Sequence, residues 1–85
     1  MTIQQLSSGD LLADRRADYA RMFAESGAFA EAAEVMEQAL ELAPDWAAGW
    51  FRFADYAEKS GRKEAATAAL EQAAPDDRIA RPETA

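Results

Sequence analysis

The chain has 85 residues and a mass of 9.3 kDa, which allows one small domain and excludes an enzyme built across two lobes. Its 9 basic and 16 acidic residues leave a net charge of −7, which opposes binding to nucleic acid or to an anionic membrane surface. With neither Cys nor His, it has no disulfide, no thiolate nucleophile, no imidazole ligand for zinc and no Ser-His arrangement.

The opening Met1-Thr2-Ile3-Gln4-Gln5-Leu6 has neither the basic start nor the apolar stretch of a secretion signal, and no run approaches the length of a membrane span. A soluble cytoplasmic protein with an N-terminal tail over residues 1–9 is expected. A first helix is expected from about Asp10 to Glu25, with Ser8 as its cap and Asp10 at the positive end of its dipole. Gly27 marks a turn, and a second helix spans Phe29 to Leu42 until Pro44 stops it. Asp45 would cap a third helix, Trp46 to Lys59. Gly61 ends that one, and a fourth runs from Lys63 to Ala73 before Pro75. Asp76-Asp77 reads as a turn, and residues 78–85, with Pro82, as a disordered or linker-like tail. No stretch alternates in the manner of a strand. The fold class is all-α, and 22 of the 42 apolar residues being Ala favours close-packed helices.

Helical spacing sorts the apolar residues into faces. Leu12, Tyr19, Ala20 and Phe23 share one face of the first helix, and Ala32, Met36, Ala39 and Leu40 one face of the second. Trp46, Trp50, Phe53, Ala54 and Ala57 share a face of the third; Ala66, Ala69, Leu70 and Ala73 share a face of the fourth. Sliding the sequence by 34 residues superposes Ala13 on Ala47, Ala20 on Ala54, Ser26-Gly27 on Ser60-Gly61, Ala32 on Ala66, and Glu37-Gln38-Ala39 on Glu71-Gln72-Ala73. A fixed period of that size is the mark of a repeat architecture.

At these residues the sequence resembles the tetratricopeptide repeat (TPR). Trp50, Phe53-Ala54, Gly61, Ala66, Leu70 and Ala73 occupy the motif positions of one copy, and Tyr19-Ala20, Phe23, Gly27, Phe29, Ala32, Met36, Ala39 and Pro44 those of the other. Arg16 stands where the motif has Trp, and Pro75 falls three residues earlier than Pro44 would place it. The resemblance implies an α-solenoid fragment of two helix-turn-helix hairpins over residues 10–77, with repeats at about 13–46 and 47–77. It also implies a concave groove, lined by Asp14, Ala17, Asp18, Arg21 and Glu25 from the first helix and by Ala48, Phe51, Arg52, Asp55 and Lys59 from the third, that takes a peptide or helix of another protein. Some members clamp a partner's terminal carboxylate with Lys and Asn; here Ala17 stands at the first Lys position, so that ligand is not implied.

A second resemblance runs through Ser7-Ser8-Gly9-Asp10, Ala13-Asp14-Arg15-Arg16, Leu40 to Pro44, Trp50-Phe51 and Pro75-Asp76-Asp77-Arg78. These segments are similar to the short TPR region at the N-terminus of some bacterial S-adenosylmethionine-dependent methyltransferases. The chain carries no Gly-rich loop after a strand to hold that cofactor. The resemblance therefore implies an accessory domain for positioning substrate or for oligomerisation, with a downstream domain of the same gene product as its partner.

Other clusters receive plainer readings. Trp46, Trp50, Phe53 and Tyr56 recur at helical spacing and read as core, whereas Phe51 lies off that face and is a candidate peptide anchor. Glu31, Glu34, Glu37 and Glu41 form one acidic stripe on the second helix. An uninterrupted helix cannot wrap a cation, so the stripe reads as a solvated face. No catalytic residue, cofactor or metal is expected, and the function expected is non-catalytic protein binding. Two repeats are few for a solenoid, so homo-oligomerisation through the repeat ends is a further reading, with Ala65, Ala68, Ala69 and the methylene groups near Leu70 of the fourth helix exposed there.

Overall fold

The computed structural model of the chain describes residues 7–73. They form four helices in series, α1 (Leu11–Glu25), α2 (Phe29–Leu42), α3 (Ala47–Lys59) and α4 (Lys63–Ala73), with no strand among the described residues. Each helix packs on the next. The helix boundaries agree to within one residue with those expected from the sequence. Residues 1–6 of the expected N-terminal tail, Pro75, Asp76-Asp77 and the tail at 78–85 lie outside the described residues.

The two hairpin turns are built alike. Helix α1 ends at Ser26 and Gly27, where the Gly27 N–H donates to the Ala24 carbonyl at 3.0 Å and the Ala28 N–H to the Phe23 carbonyl at 2.9 Å. Thirty-four residues later the Gly61 N–H donates to Glu58 at 3.0 Å and the Arg62 N–H to Ala57 at 2.8 Å. This paired bonding satisfies carbonyls that the helix end leaves open, and it requires a left-handed residue at its centre. Gly27 has φ 85° and Gly61 φ 92°. The serines match as well, since Ser26 Oγ donates to the Phe23 carbonyl and Ser60 Oγ to the Ala57 carbonyl, both at 2.9 Å. The repeated Ser-Gly pair is therefore one cap used twice.

Two helix starts differ from expectation. Helix α1 is capped by Asp10 rather than Ser8: the Asp10 carboxylate accepts from the Leu12 N–H at 2.9 Å and the Ala13 N–H at 3.1 Å. Ser8 is drawn away by Asp14, to which its backbone N–H and its hydroxyl both donate. Helix α3 begins at Ala47 with Trp46 at the cap position and no side-chain cap, and Asp45 stands outside, exposed. Here burial of the Trp46 indole, rather than a carboxylate, decides where the helix starts.

The core joins Ala13, Ala17 and Ala20 of α1, Ala32, Ala33, Met36, Ala39 and Leu40 of α2, Phe53, Ala54, Tyr56 and Ala57 of α3, Trp46 before it, and Ala66 and Ala69 of α4. Alanine brings little apolar area, so α1 gains mainly close approach, while Met36 and Leu40 of α2 and Trp46, Phe53 and Tyr56 supply the large buried surfaces. Trp50 stacks edge-on against Phe53 with ring centroids 6.3 Å apart and donates its indole N–H to the Pro44 carbonyl at 2.8 Å. The expectation for α1 is corrected: Leu12, Tyr19 and Phe23 are exposed, and the buried face is the Ala13, Ala17, Ala20 row. Two of these antiparallel helices pack closely only if one presents small side chains. On α4 the outcome is divided, with Leu70 exposed and Ala69, expected at the open end, only 1% exposed.

Gly49 is buried inside α3 for a steric reason. A Cβ on it would lie 2.5 Å from Cε3 and 2.8 Å from Cδ2 of Trp46, and 3.0 Å from Cδ2 of Leu40. The missing side chain is what lets the indole fold onto the first turn of α3.

Candidate interaction groove

Helix α2 packs on both α1 and α3, so the first helices of the two hairpins share its support. Their facing groups feel one another: Arg52 of α3 acts on the Asp14 carboxylate of α1, and Arg21 and Glu25 of α1 act on the Tyr56 hydroxyl of α3. Burial pushes the Tyr56 hydroxyl up from its ordinary value. The residues expected in the groove fall along these two helices as follows.

On α1, Asp18, Arg21 and Glu25 are exposed and Ala17 is buried beneath them. Arg21 pairs with Glu25 at 2.9 Å and lies 3.7 Å from Asp18. These partners raise the Arg21 guanidinium, the hydrogen bond to Glu25 foremost. On α3, Phe51 and Asp55 are exposed, Ala48 and Arg52 are half-buried, and Lys59 pairs with Asp55 at 3.2 Å. Lys59 also sits 5.4 Å from the Phe29 ring centroid, and Arg52 sits 5.7 Å from that of Trp46. The exposed charged residues of α1 and α3 thus form short-range pairs of both signs. Exposed pairs at one helical turn contribute a few tenths of a kcal/mol each, so a ligand can open them at small cost.

Asp14 behaves differently from the rest. Ser7 Oγ donates to its Oδ2 at 2.8 Å, and the Ser8 N–H and Oγ donate to Oδ1 at 2.9 and 2.7 Å. Ser8 Oγ in turn accepts from the Asp10 N–H at 3.0 Å. Partial burial alone would raise this carboxyl, but the bonds from Ser8 and Ser7 and the charge of Arg52 outweigh it and hold the group below its ordinary value. Asp14 is thus the anchor of an N-terminal strap across the start of α1. Spacing could have hinted at this role, since a Ser-Ser-Gly-Asp run before a helix is rich in local donors.

A depressed folded value means that ionised Asp14 stabilises the fold above the unfolded carboxylate range, and that this stabilisation is lost as pH falls through the folded value. Asp14→Ala is expected to cost roughly 1–2 kcal/mol at pH 7, from charge-assisted bonds that are only partly buried. In urea titrations the gap between wild type and variant should shrink as the pH drops below 3.8, the ordinary value for this carboxyl. A gap that stays constant through acid would show that the strap does not depend on the charge.

The strap and the α2–α3 connection border a cleft of about 520 Å³, open to solvent and lined among others by Ser8, Asp10, Pro44, Asp45 and Trp46. The acidic stripe lies elsewhere: Glu31, Glu34, Glu37 and Glu41 are all exposed on α2, with Glu37 3.9 Å from Arg62. No cluster of three or more acidic side chains among the described residues could hold a metal ion. No helix among them is long and apolar enough to cross a membrane.

Two helical hairpins at a 34-residue interval, closed by the same backbone cap and packed in series, define a helical-repeat protein. A family model described as tetratricopeptide repeat matches residues 23–81. That is more than half of the chain, and the chain belongs to the tetratricopeptide repeat family. Comparison with curated proteins and with solved structures gives no match. Repeats of this family act as protein-protein interaction modules, and the class of function follows from the membership.

Proposed function

We propose that the chain binds an extended peptide or a short helix of another protein between α1 and α3, with Phe51 as the apolar anchor and no catalytic step. The observation that carries this reading is Phe51 itself, 51% exposed on a helix whose other large aromatic residues are buried or half-buried. The core makes no use of it. The charged residues expected in the groove are Asp14, Asp18, Arg21 and Glu25 on one helix and Arg52, Asp55 and Lys59 on the other, a nearly balanced set that suits a partner with single charges spaced about an apolar residue. The strong acidity of the chain sits on α2, outside this groove, so a polybasic segment is not the ligand the groove favours.

A library of displayed random peptides selected against the chain tests the proposal. Selected peptides should bind Phe51→Ala at least tenfold more weakly, a change of about 1.4 kcal/mol, and should bind Glu34→Lys as they bind wild type. Peptides that keep their affinity for Phe51→Ala would sink the groove reading. In the alternative, an accessory domain of a bacterial S-adenosylmethionine-dependent methyltransferase, the partner belongs to the same polypeptide. The ordered Ser7-Ser8-Gly9-Asp10 strap, part of the stretch carrying that resemblance, is what speaks for it.

A further inference from the structure

Among the described residues, five of the eight large apolar side chains that remain exposed lie on one helix: Leu11, Leu12, Tyr19, Met22 and Phe23 of α1, at 38–70% exposure. With Arg15 among them they form a continuous stripe opposite the Ala13, Ala17, Ala20 row that meets α2, and beside rather than within the groove face. The 34-residue register says what such a stripe is for. That register sets Leu12, Arg15, Tyr19, Met22 and Phe23 on Trp46, Gly49, Phe53, Tyr56 and Ala57 at the start of and along α3, all buried, and Leu11 on the exposed Asp45. On α1 four of these five positions carry large apolar side chains, Leu12, Tyr19, Met22 and Phe23, which the described residues leave exposed.

The corresponding face of α4 is built differently. Phe29, Ala33 and Met36 of α2, half-buried or buried, become Lys63, Thr67 and Leu70 on α4, all exposed. Leu70 is the one large apolar side chain exposed on α4 among the described residues, and a head-to-tail stack would set much of the α1 stripe against Lys63 and Thr67.

We infer that the α1 stripe is covered by the α1 stripe of a second copy, forming a closed two-fold dimer with the helices antiparallel. Like faces like in such a contact, and it cannot propagate. At their exposed fractions the five side chains offer on the order of 500 Å² per copy, about 1,000 Å² for the pair, which meets the lower bound for a specific interface. Electrostatics also favour this helix. Arg15, Arg16 and Arg21 balance Asp14, Asp18 and Glu25 on α1, whereas α2 carries Glu31, Glu34, Glu37 and Glu41 without a basic residue. Two acidic chains thus approach at a neutral face. Antiparallel pairing brings Leu11 and Leu12 over Met22 and Phe23 and sets each Arg15 near the partner copy's Tyr19 ring, while parallel pairing would set Arg15 on Arg15.

Sedimentation of the full chain at about 100 µM should show a dimer, the population expected for a contact of that affinity or tighter. Tyr19→Glu should raise the dimer dissociation constant at least tenfold with helical circular dichroism unchanged, and Leu70→Glu should leave the dimer intact. Because the chain has no Cys, single cysteines report orientation. An oxidised mixture of Leu12→Cys and Met22→Cys should cross-link one to the other, and neither should cross-link to itself. This readout holds even if Tyr19→Glu fails to fold. A monomeric wild type, a ladder of species growing with concentration, dissociation by Leu70→Glu, or self-cross-linking of Leu12→Cys would each overturn the inference.

Discussion

Gly49→Ala is expected to destabilise the protein by about 1–3 kcal/mol, although the same change at an exposed helical site would stabilise it by up to about 1 kcal/mol. The reason is the 2.5 Å approach that a new Cβ would make to Cε3 of Trp46. That atom belongs to a rigid indole packed into the core, with Arg52 5.7 Å from its ring centroid, so it cannot swing aside as the end of a flexible chain could. Relief must come from moving the indole outward, which uncovers Leu40, or from shifting α3 along α2. Both surrender contacts in a core whose other members are largely Ala. Urea denaturation followed by tryptophan fluorescence reads the effect directly. Trp46→Leu in the same chain should reduce the penalty of Gly49→Ala, because a smaller side chain leaves room for the methyl group, and the two changes should therefore be non-additive. A rise in the denaturation midpoint of Gly49→Ala would mean that helix propensity outweighs the indole contact.

Gly27→Val and Gly61→Val are each expected to cost roughly 1–2 kcal/mol or more, through the backbone alone. Nothing lies within 4 Å of a Cβ built on either residue, so space is not at issue. The cost is that of forcing a β-branched residue to positive φ, or else of giving up the two hydrogen bonds that close each hairpin. Gly27→Asn should lose much less, since Asn enters the left-handed region more readily than Val. Because both turns share the same cap, the two Val variants should fall by similar amounts, and a variant with an unchanged midpoint would show that its turn can be rebuilt without the left-handed residue.

Much of the fold is legible in the residues because its signals are local. Gly27 and Gly61 sit at turns because positive φ excludes most other residues, Pro44 bars continuation of α2 because it has no N–H, and the Ser-Gly period of 34 follows from one cap used twice. The inner face of α2 and the aromatic core of α3 are likewise legible, since large apolar residues at helical spacing have one place to go when helices lie on both sides. The caps are less so. Ser8, Asp10 and Asp45 are all competent cap residues, and the choice among them depends on the Asp14 carboxylate in the first turn of α1 and on the burial of Trp46, neither of which is a property of the cap position.

The candidate surfaces divide along the same line. Phe51 stands out from the sequence because it breaks the face shared by Trp50, Phe53 and Ala54, and its exposure on α3 agrees. The α1 stripe does not stand out. Leu12, Tyr19 and Phe23 have the spacing of a buried face, and periodicity cannot tell a face that meets the neighbouring helix from one that points away from it. So the sequence by itself determined the helices, their turns, the repeat and the family. Only the tertiary structure decided that Asp14 holds a strap, that Gly49 makes room for an indole, and that the small side chains of α1 face inward. The physical reason is that local conformational preference acts within a few residues, whereas the choice between two apolar faces is made by the volume a packed neighbour leaves.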